Sequence, residues 1–331
     1  MVVKGKRYIF KYWPEDDKYK PQETVLVVNK LIFTDKVKFM FGPMGAAGAL
    51  AAGPICERNK VFNIANGVDN SLTLPGKNTY TVRTMGFIPK LLSGALVSKF
   101  KEVFPSLKTI GAIYVDDVSG QSAYADAKSH LESAGYRIIE TVSYPRGTKE
   151  QRPVVTRALS KKPDAIWLLS VPPEDMAVQV KEIRLMGFKG PVWSTGDVDP
   201  RYLQKIAGVE ASEGFVGSYF DPVGEDLPPQ MVEYGRRYLN KYPEGWSNSG
   251  EIFYTAAFML KRAMEIANSI DPTAVRDVFL REDVEWPTLF GPAFMKDREI
   301  LRPIYFAVIK EGKAVNILAY PPGYPESKKK K

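Results

Sequence analysis

The stretch Val37–Asn66, VKFMFGPMGAAGALAAGPICERNKVFNIAN, constrains the fold more than any other part of the chain. VKFMF is apolar and too short for a helix, so it predicts a buried strand that stops at Gly42-Pro43. Small residues crowd Gly45–Glu57, which predicts a short helix whose first amides can approach another group closely. VFNIA then predicts a second buried strand. Two neighbouring strands that are each followed by a loop of small residues predict one side of a ligand-binding crevice in a parallel α/β sheet.

The alternation of strands and helices continues along the chain. Between Thr109 and Phe220 it predicts a doubly wound βαβ domain. The part before it is a second such unit, which starts with a strand at Lys6–Trp13 and a helix at Gln22–Asp35. Later, a β-rich end contains a hairpin around Glu311-Gly312. A chain of 331 residues is long enough for two domains of ordinary size.

Composition excludes several classes of protein. The net charge is +8, but Lys and Arg are spread along the chain and only Lys328–Lys331 forms a run. We therefore interpret the charge as general solubility charge, predict no nucleic-acid partner, and interpret the run as a solvated, mobile terminus. One cysteine, Cys56, and one histidine, His130, allow no intrachain disulfide and leave no basis for a zinc site or a Cys/His catalytic pair. No segment approaches the roughly 20 apolar residues that span a membrane.

Seven stretches of the chain together carry a resemblance to a known family: VKGKRYIFKYWPEDD, NKLIFTDKVKFMFGPMGAAGALAAGP, TYTVRTMG, TIGAIYVDDVSGQS, YPRGTKEQRPVVTRALSKKPDAIWLLS, MGFKGPVWSTGD and YTAAFMLKRAMEIA. They resemble the type I periplasmic binding proteins, in the branched-chain amino acid and amide group that delivers solutes to ABC transporters. These stretches follow the family's order and cover nearly all of residues 1–320. Their order and spacing, more than any single motif, carry the resemblance.

The resemblance implies an α/β fold of two doubly wound parallel-sheet lobes joined by a three-segment hinge. Lobe one would comprise 1–84 and 222–298, and lobe two 85–221 and 299–331. The ligand would bind between lobes that close by hinge motion. The family's usual first strand, its loop and its first helix are expected to be missing from this chain, and no signal peptide is visible. The location implied by the resemblance is periplasmic or otherwise extracytoplasmic.

The resemblance also implies ligand-binding positions in lobe one. These are Gly45, Ala46, Ala47, Asn66, Gly67 and Asp69. In the first loop the helix amides remain, but the serine hydroxyl that holds a ligand carboxylate in the family is absent. Asp69 stands near a threonine position of the family. There it would repel an anionic ligand group, or it would cap the loop or a helix turn, and both interpretations remain open.

Further implied positions are Ser119, Val171, Asp197 and Tyr219 in lobe two, and Tyr254 on a helix of lobe one. Ser119 and Val171 replace aromatic residues that the family often has. Asp197 matches the acidic residue that pairs with a ligand ammonium, although it could instead cap the following turn. Tyr219, at an expected crossover, and Tyr254 could face the ligand or serve packing. Because the carboxylate-binding set is depleted, we predict an amide, an aromatic acid or a cationic solute, and not a standard aliphatic α-amino acid.

Three function classes follow from these observations. The first is a solute-binding protein for an ABC importer, whose partners would be a small molecule and the permease, with contact to the membrane only through the permease. The second is a ligand sensor of the same fold. The third is an α/β enzyme using acids such as Asp116 and Asp117. No phosphate loop, dinucleotide fingerprint, nucleophile elbow or metal cluster supports an enzyme or a cofactor, so we predict no enzyme and no cofactor.

Overall fold

The computed structural model describes residues 1–86 and 88–329, so Lys330 and Lys331 of the terminal lysine run lie outside the described residues. The chain forms two compact units. Unit 1 comprises Met1–Ile88, Ser249–Arg302 and Gly323–Lys331, and unit 2 comprises Pro89–Asn248 and Pro303–Pro322. Compared with the ranges expected from sequence, residues 222–248 fall in unit 2, while 85–88, 299–302 and 323–331 fall in unit 1.

The helices are distributed over both units. They are α1 Pro21–Asn29, α2 Ala46–Asn59, α3 Pro89–Val103, α4 Val118–Ser133, α5 Arg152–Leu159, α6 Pro173–Leu185, α7 Pro200–Ala207, α8 Val209–Ser212, α9 Pro229–Lys241, α10 Asn248–Ala267 and α11 Pro272–Phe279. A π-helical turn, Lys30–Thr34, extends α1, and a 3₁₀ turn covers Asn70–Thr73.

The strands alternate with these helices. They are β1 Val2–Val3, β2 Lys6–Arg7, β3 Phe39–Met44, β4 Phe62–Asn66, β5 Thr81–Arg83, β6 Thr109–Val115, β7 Arg137–Tyr144, β8 Ala165–Leu169, β9 Val192–Ser194, β10 Val216–Gly217, β11 Trp286–Thr288, β12 Gly291–Lys296, β13 Glu299–Leu301, β14 Ile304–Lys310 and β15 Lys313–Ala319.

Unit 1 is built on a sheet of order β11-β12-β13-β5-β4-β3. β3, β4, β5 and β13 are parallel, and β12 and β11 extend the sheet in antiparallel pairings. Its core includes Phe62, Phe279 and Trp286, and the rings of the last two stack with centroids 4.8 Å apart. Burial of each such side chain contributes roughly 1.5–3 kcal/mol.

Unit 2 is built on a sheet of order β15-β14-β10-β9-β8-β6-β7. Five adjacent strands, β7, β6, β8, β9 and β10, are parallel. β14 pairs with β10 in the antiparallel sense and forms the predicted hairpin with β15. β8 is buried over its whole length, as expected for a strand covered by helices on both faces. Trp167 and Trp193 lie in this core, as predicted. The α/β class and the doubly wound sheets are therefore confirmed.

Two local predictions were wrong, and a third was right in its extent but not in its helix type. The strand expected at Lys6–Trp13 is only the two residues of β2, paired with β1. The helix expected at Gln22–Asp35 is α-helical only to Asn29 and then continues as the π-helical turn. Gly42-Pro43 does not end β3: the strand continues to Met44 through an irregularity between Phe41 and Met44. Backbone pairing with β4 overrides the local stop signal.

Candidate functional site

In unit 2, predicted site residues follow the carboxyl ends of adjacent parallel strands. β9 and β10 pair at Trp193 and Val216, and beyond them the Ser218 N–H donates to the Gly196 carbonyl at 3.1 Å. This hydrogen bond brings together the two segments that carry Asp197 and Tyr219. The ends of parallel strands are where ligands bind in open α/β sheets.

Asp197 is partly buried, and no group among residues 1–86 and 88–329 donates a hydrogen bond to its carboxylate or forms an ion pair with it. Desolvation, together with the nearby charge of Asp199, raises the pKa of Asp197 to about 7. The interpretation of Asp197 as an N-cap is wrong, because Asp199 caps α7 by accepting from the Arg201 N–H at 2.8 Å. A strongly perturbed carboxylate without a partner is a typical feature of a binding site.

Tyr219 lies inside unit 2, with 8% of its surface exposed. Burial raises the pKa of its hydroxyl, and the charges of Asp199 and Asp221 raise it further. Arg201 supplies the neighbouring positive charge, and its Nη2 lies 2.7 Å from Asp199 Oδ2. The region around Tyr219 therefore carries more carboxylates than compensating cations, which favours a ligand group that donates hydrogen bonds.

The other predicted residues of unit 2 lie at the ends of β6 and β8. Ser119 is buried in the first turn of α4, which Asp117 caps by accepting from the Gly120 N–H at 2.9 Å. Val171 is 3% exposed and belongs to the hydrophobic core of unit 2. Its side chain therefore serves packing in this structure.

In unit 1, the first predicted loop is partly covered by the chain itself. A Cβ atom on Gly45, whose φ is +85°, would lie 2.5–2.7 Å from the ring and hydroxyl of Tyr19. The Gly45 N–H donates to the Asn66 carbonyl at 3.0 Å. Ala46 is buried and Ala47 is exposed. Tyr19 was not predicted as a site residue, and no pattern around it in the sequence points to this position.

The second predicted loop follows β4. Asp69 accepts a hydrogen bond from the Ser71 N–H at 2.8 Å and another from the Ser71 hydroxyl, so its carboxylate caps the 3₁₀ turn. This geometry favours the capping interpretation of Asp69 over repulsion of a ligand. The Asn66 side-chain amide lies 2.7 Å from Met44 Sδ. Gly67 is packed so closely that an added Cβ would lie 2.6 Å from Ala49 Cβ.

Arg83, which was not among the predicted site residues, donates to the backbone of this loop. It is 1% exposed, and its guanidinium donates to Glu299, Thr73 and the carbonyls of Gly67 and Asp69. An arginine at the end of the otherwise uncharged strand TYTVR was the available signal, since a buried arginine requires several acceptors.

Tyr254, the remaining predicted residue, lies on α10 in unit 1, and its ring centroid is 4.8 Å from that of Phe258.

In the part of the chain that the structure describes, no group of three or more His, Cys, Asp or Glu side chains could hold a metal ion. Among the described helices, none combines the length and the apolar character that crossing a membrane requires.

Comparison with known proteins identifies related sequences and folds. The family described as periplasmic binding protein matches residues 3–314. A Leu/Ile/Val-binding protein homolog 7 of Brucella abortus is 23% identical over 287 residues, which is 82% of this chain and 70% of that protein. The crystal structure of a leucine binding protein from Thermotoga maritima has a TM-score of 0.79 at 21% identity and covers 93% of this chain and 86% of its own. A solute binding protein of an ABC transporter from Rhodopseudomonas palustris, in complex with 3,4-dihydroxy benzoic acid, has a TM-score of 0.78 at 21% identity, covering 97% and 87%.

Proposed function

Because the chain belongs to the periplasmic binding protein family, in the type I, branched-chain amino acid-binding group, we propose that it captures a small polar organic solute and delivers it to the permease of an ABC importer. Proteins of this family bind solutes and are not enzymes, and membership implies an extracytoplasmic location. An assay of solute uptake, in cells that carry this protein together with the neighbouring transporter genes, would test the delivery to a permease.

The observation that carries the proposed ligand class is the carboxylate of Asp197, which lies beside Tyr219 and has no partner among residues 1–86 and 88–329. Burial makes the ionised form of such a group costly unless a donor pairs with it. A bound solute that places an ammonium, amide or hydroxyl donor against Asp197 would remove that cost. We propose that Asp197 is the main polar contact of the solute in unit 2.

The loops of unit 1 support a solute other than leucine, isoleucine or valine. The serine hydroxyl expected for an α-carboxylate is replaced by Gly45–Ala47, and Tyr19 covers Gly45. An aromatic acid with hydroxyl groups fits both observations, because a phenolic hydroxyl can donate to Asp197 while the acid group uses other contacts. The complex of the Rhodopseudomonas palustris protein makes 3,4-dihydroxybenzoate a reasonable first probe.

Isothermal titration calorimetry of the full chain with 3,4-dihydroxybenzoate, leucine and valine tests this proposal. We expect binding of the aromatic acid and a loss of roughly tenfold or more in affinity for Asp197→Asn, since a charge-assisted hydrogen bond becomes a neutral one. Asp116→Asn is the matched control, because Asp116 is exposed after β6, another parallel strand of the same sheet, and accepts from Gln121. Tight binding of leucine or valine would contradict the ligand class, and an unchanged affinity for Asp197→Asn would contradict the role of Asp197.

A further inference from the structure

The guanidinium of Arg83 is fully engaged inside unit 1. Its Nε lies 2.8 and 2.9 Å from the two carboxylate oxygens of Glu299, and its Nη2 donates to Glu299 and to Thr73 Oγ1. Its Nη1 donates to the Gly67 carbonyl at 3.0 Å and to the Asp69 carbonyl at 2.9 Å. All five N–H donors of the side chain are therefore used, and two of them hold backbone carbonyls of one loop.

The hydrogen bonds from Arg83 to the Gly67 and Asp69 carbonyls determine which backbone groups of the loop remain available to a ligand. The Gly67–Val68 peptide bond is trans, and in a planar trans peptide the C=O and the following N–H point in opposite directions. Because the Gly67 carbonyl points toward buried Arg83, the Val68 N–H points away from it. Val68 is partly exposed, and no described residue accepts a hydrogen bond from its N–H.

The same loop has few acceptors left for a ligand. The carbonyls of Gly67 and Asp69 accept from Arg83, and the Asp69 carboxylate accepts from the backbone and hydroxyl of Ser71. A solute ammonium would therefore find two carbonyls of this loop and one oxygen of the Asp69 carboxylate already in use. A carboxylate or carbonyl oxygen would find the unused donor of Val68.

We propose that Arg83 is a positioning residue for solute binding: it turns the Gly67 and Asp69 carbonyls inward and so presents the Val68 N–H to an acceptor oxygen of the solute. This inference rests on the proposed function, since it concerns the same solute. Arg83 itself does not contact the solute. It acts through the backbone of the loop, and its pairing with Glu299 and Thr73 fixes the position of the guanidinium.

Selective labelling gives a spectroscopic test that needs no resonance assignment of the whole chain. Gly-Val occurs in the sequence only at Gly67-Val68 and Gly208-Val209. A protein labelled with carbonyl-¹³C glycine and ¹⁵N valine therefore shows these two pairs in an HNCO spectrum. Val209 is 57% exposed and lies in unit 2, so it serves as the internal reference.

The first arm uses the full chain without solute and compares Arg83→Met with Arg298→Met. Arg298 is a matched control because it also donates to backbone carbonyls, those of Leu74, Asn78 and Thr81, but not to the Gly67–Asp69 loop. We expect the Gly67 carbonyl signal to shift in Arg83→Met and to keep its wild-type position in Arg298→Met. Equal spectra for wild type and Arg83→Met would overturn the inference. Arg83→Lys replaces Arg83→Met if the latter does not fold.

The second arm adds 3,4-dihydroxybenzoate. We expect a saturable downfield shift of the Val68 amide proton in the wild type and in Arg298→Met, and roughly tenfold weaker binding with no Val68 shift in Arg83→Met. If calorimetry detects binding but the Val68 signal does not move, the inference is wrong while the proposed function stands. If calorimetry detects no binding, the proposed ligand class is wrong, and the first arm still decides whether Arg83 holds the loop.

Discussion

Arg302 and Glu251 form a buried ion pair within unit 1, with Arg302 Nη2 3.1 Å from Glu251 Oε2. The same Nη2 donates to the Met85 carbonyl at 2.9 Å, and the guanidinium lies over the ring of Phe290, 4.3 Å from its centroid. Arg302 and Glu251 stand next to points where the chain leaves or enters unit 1, and Met85 lies shortly before another. The guanidinium of Arg302 therefore contacts the segments that contain Met85, Glu251 and Phe290, all within unit 1.

Loss of one partner of this pair should destabilise unit 1 strongly. Arg302→Met leaves the Glu251 carboxylate buried without its cation, which we expect to cost about 3–5 kcal/mol in the free energy of unfolding. Urea denaturation followed by fluorescence measures this change. Lys261→Met, on the same helix as Glu251, breaks the exposed pair with Glu265 and should change stability by no more than about 1 kcal/mol. Equal losses for the two variants would contradict the prediction.

Asp197 should make the protein less stable as the pH rises. The pKa of Asp197 in the folded chain is about 7, above its ordinary value of 3.8, so between these values the folded chain holds a proton that the unfolded chain has released. The unfolding free energy therefore falls as the pH rises from about 4 to 7. Asp197→Asn should gain roughly 1–3 kcal/mol at pH 8 and less at pH 5, measured by urea denaturation. A gain that is the same at both pH values would be inconsistent with this carboxylate titrating near neutrality.

Asp164 should show the opposite dependence on pH. Its carboxylate accepts a hydrogen bond from the Lys108 N–H at 2.9 Å, and hydrogen bonds from the N–H and the hydroxyl of Thr109, both at 2.8 Å. These donors lower the pKa of Asp164, and the Lys108 N–H has the largest effect. This stabilisation is present above the unfolded pKa and is lost as the pH falls through the folded pKa. Asp164→Asn should lose about 1–2 kcal/mol at pH 7. A loss that persists unchanged at pH 3 would show that the charge is not its cause.

Gly120→Ala should be among the most damaging single changes in unit 2. A Cβ atom at Gly120 would collide with the carbonyl of Val115, and backbone at the end of β6 cannot move without disturbing its pairing with β7 and β8. We expect a loss of about 3 kcal/mol or more in the free energy of unfolding. Ser122→Ala, on the same helix, is the matched control and should be close to wild type by thermal denaturation. A stable Gly120→Ala protein would show that α4 can shift away from β6.

Local sequence patterns predicted much of the fold. The apolar runs of β6 and β8 and the glycine that follows α4 were visible in the sequence because neighbouring residues decide them. Lys6–Trp13 was misjudged for the opposite reason. Its aromatic and β-branched residues suit a strand, but a strand also needs a hydrogen-bonded neighbour, and beyond Lys6–Arg7 none of the described strands pairs with it.

The candidate site was predicted less completely. Asp197 was selected as a polar residue that follows a strand, and its contact with a solute stays a prediction; the sequence also left open whether it caps the next turn. In the structure Asp199, two residues later, is the N-cap of α7, and Asp197 has no partner among the described residues. Asp199 stands directly before Pro200, and an N-cap residue followed by proline at the first helical position was the signal in the sequence that separates the two aspartates.

The sequence by itself determined the order of strands and helices, the α/β class and the family, since these depend on short patterns and on their succession. Only the tertiary structure decided that Arg83 holds the Gly67–Asp69 loop, that Asp69 is engaged as a cap and that Tyr19 covers Gly45. Arg83 and its partner Glu299 are separated by 216 positions in the chain. Contacts at such separations arise from packing of the whole unit, and no local pattern carries information about them.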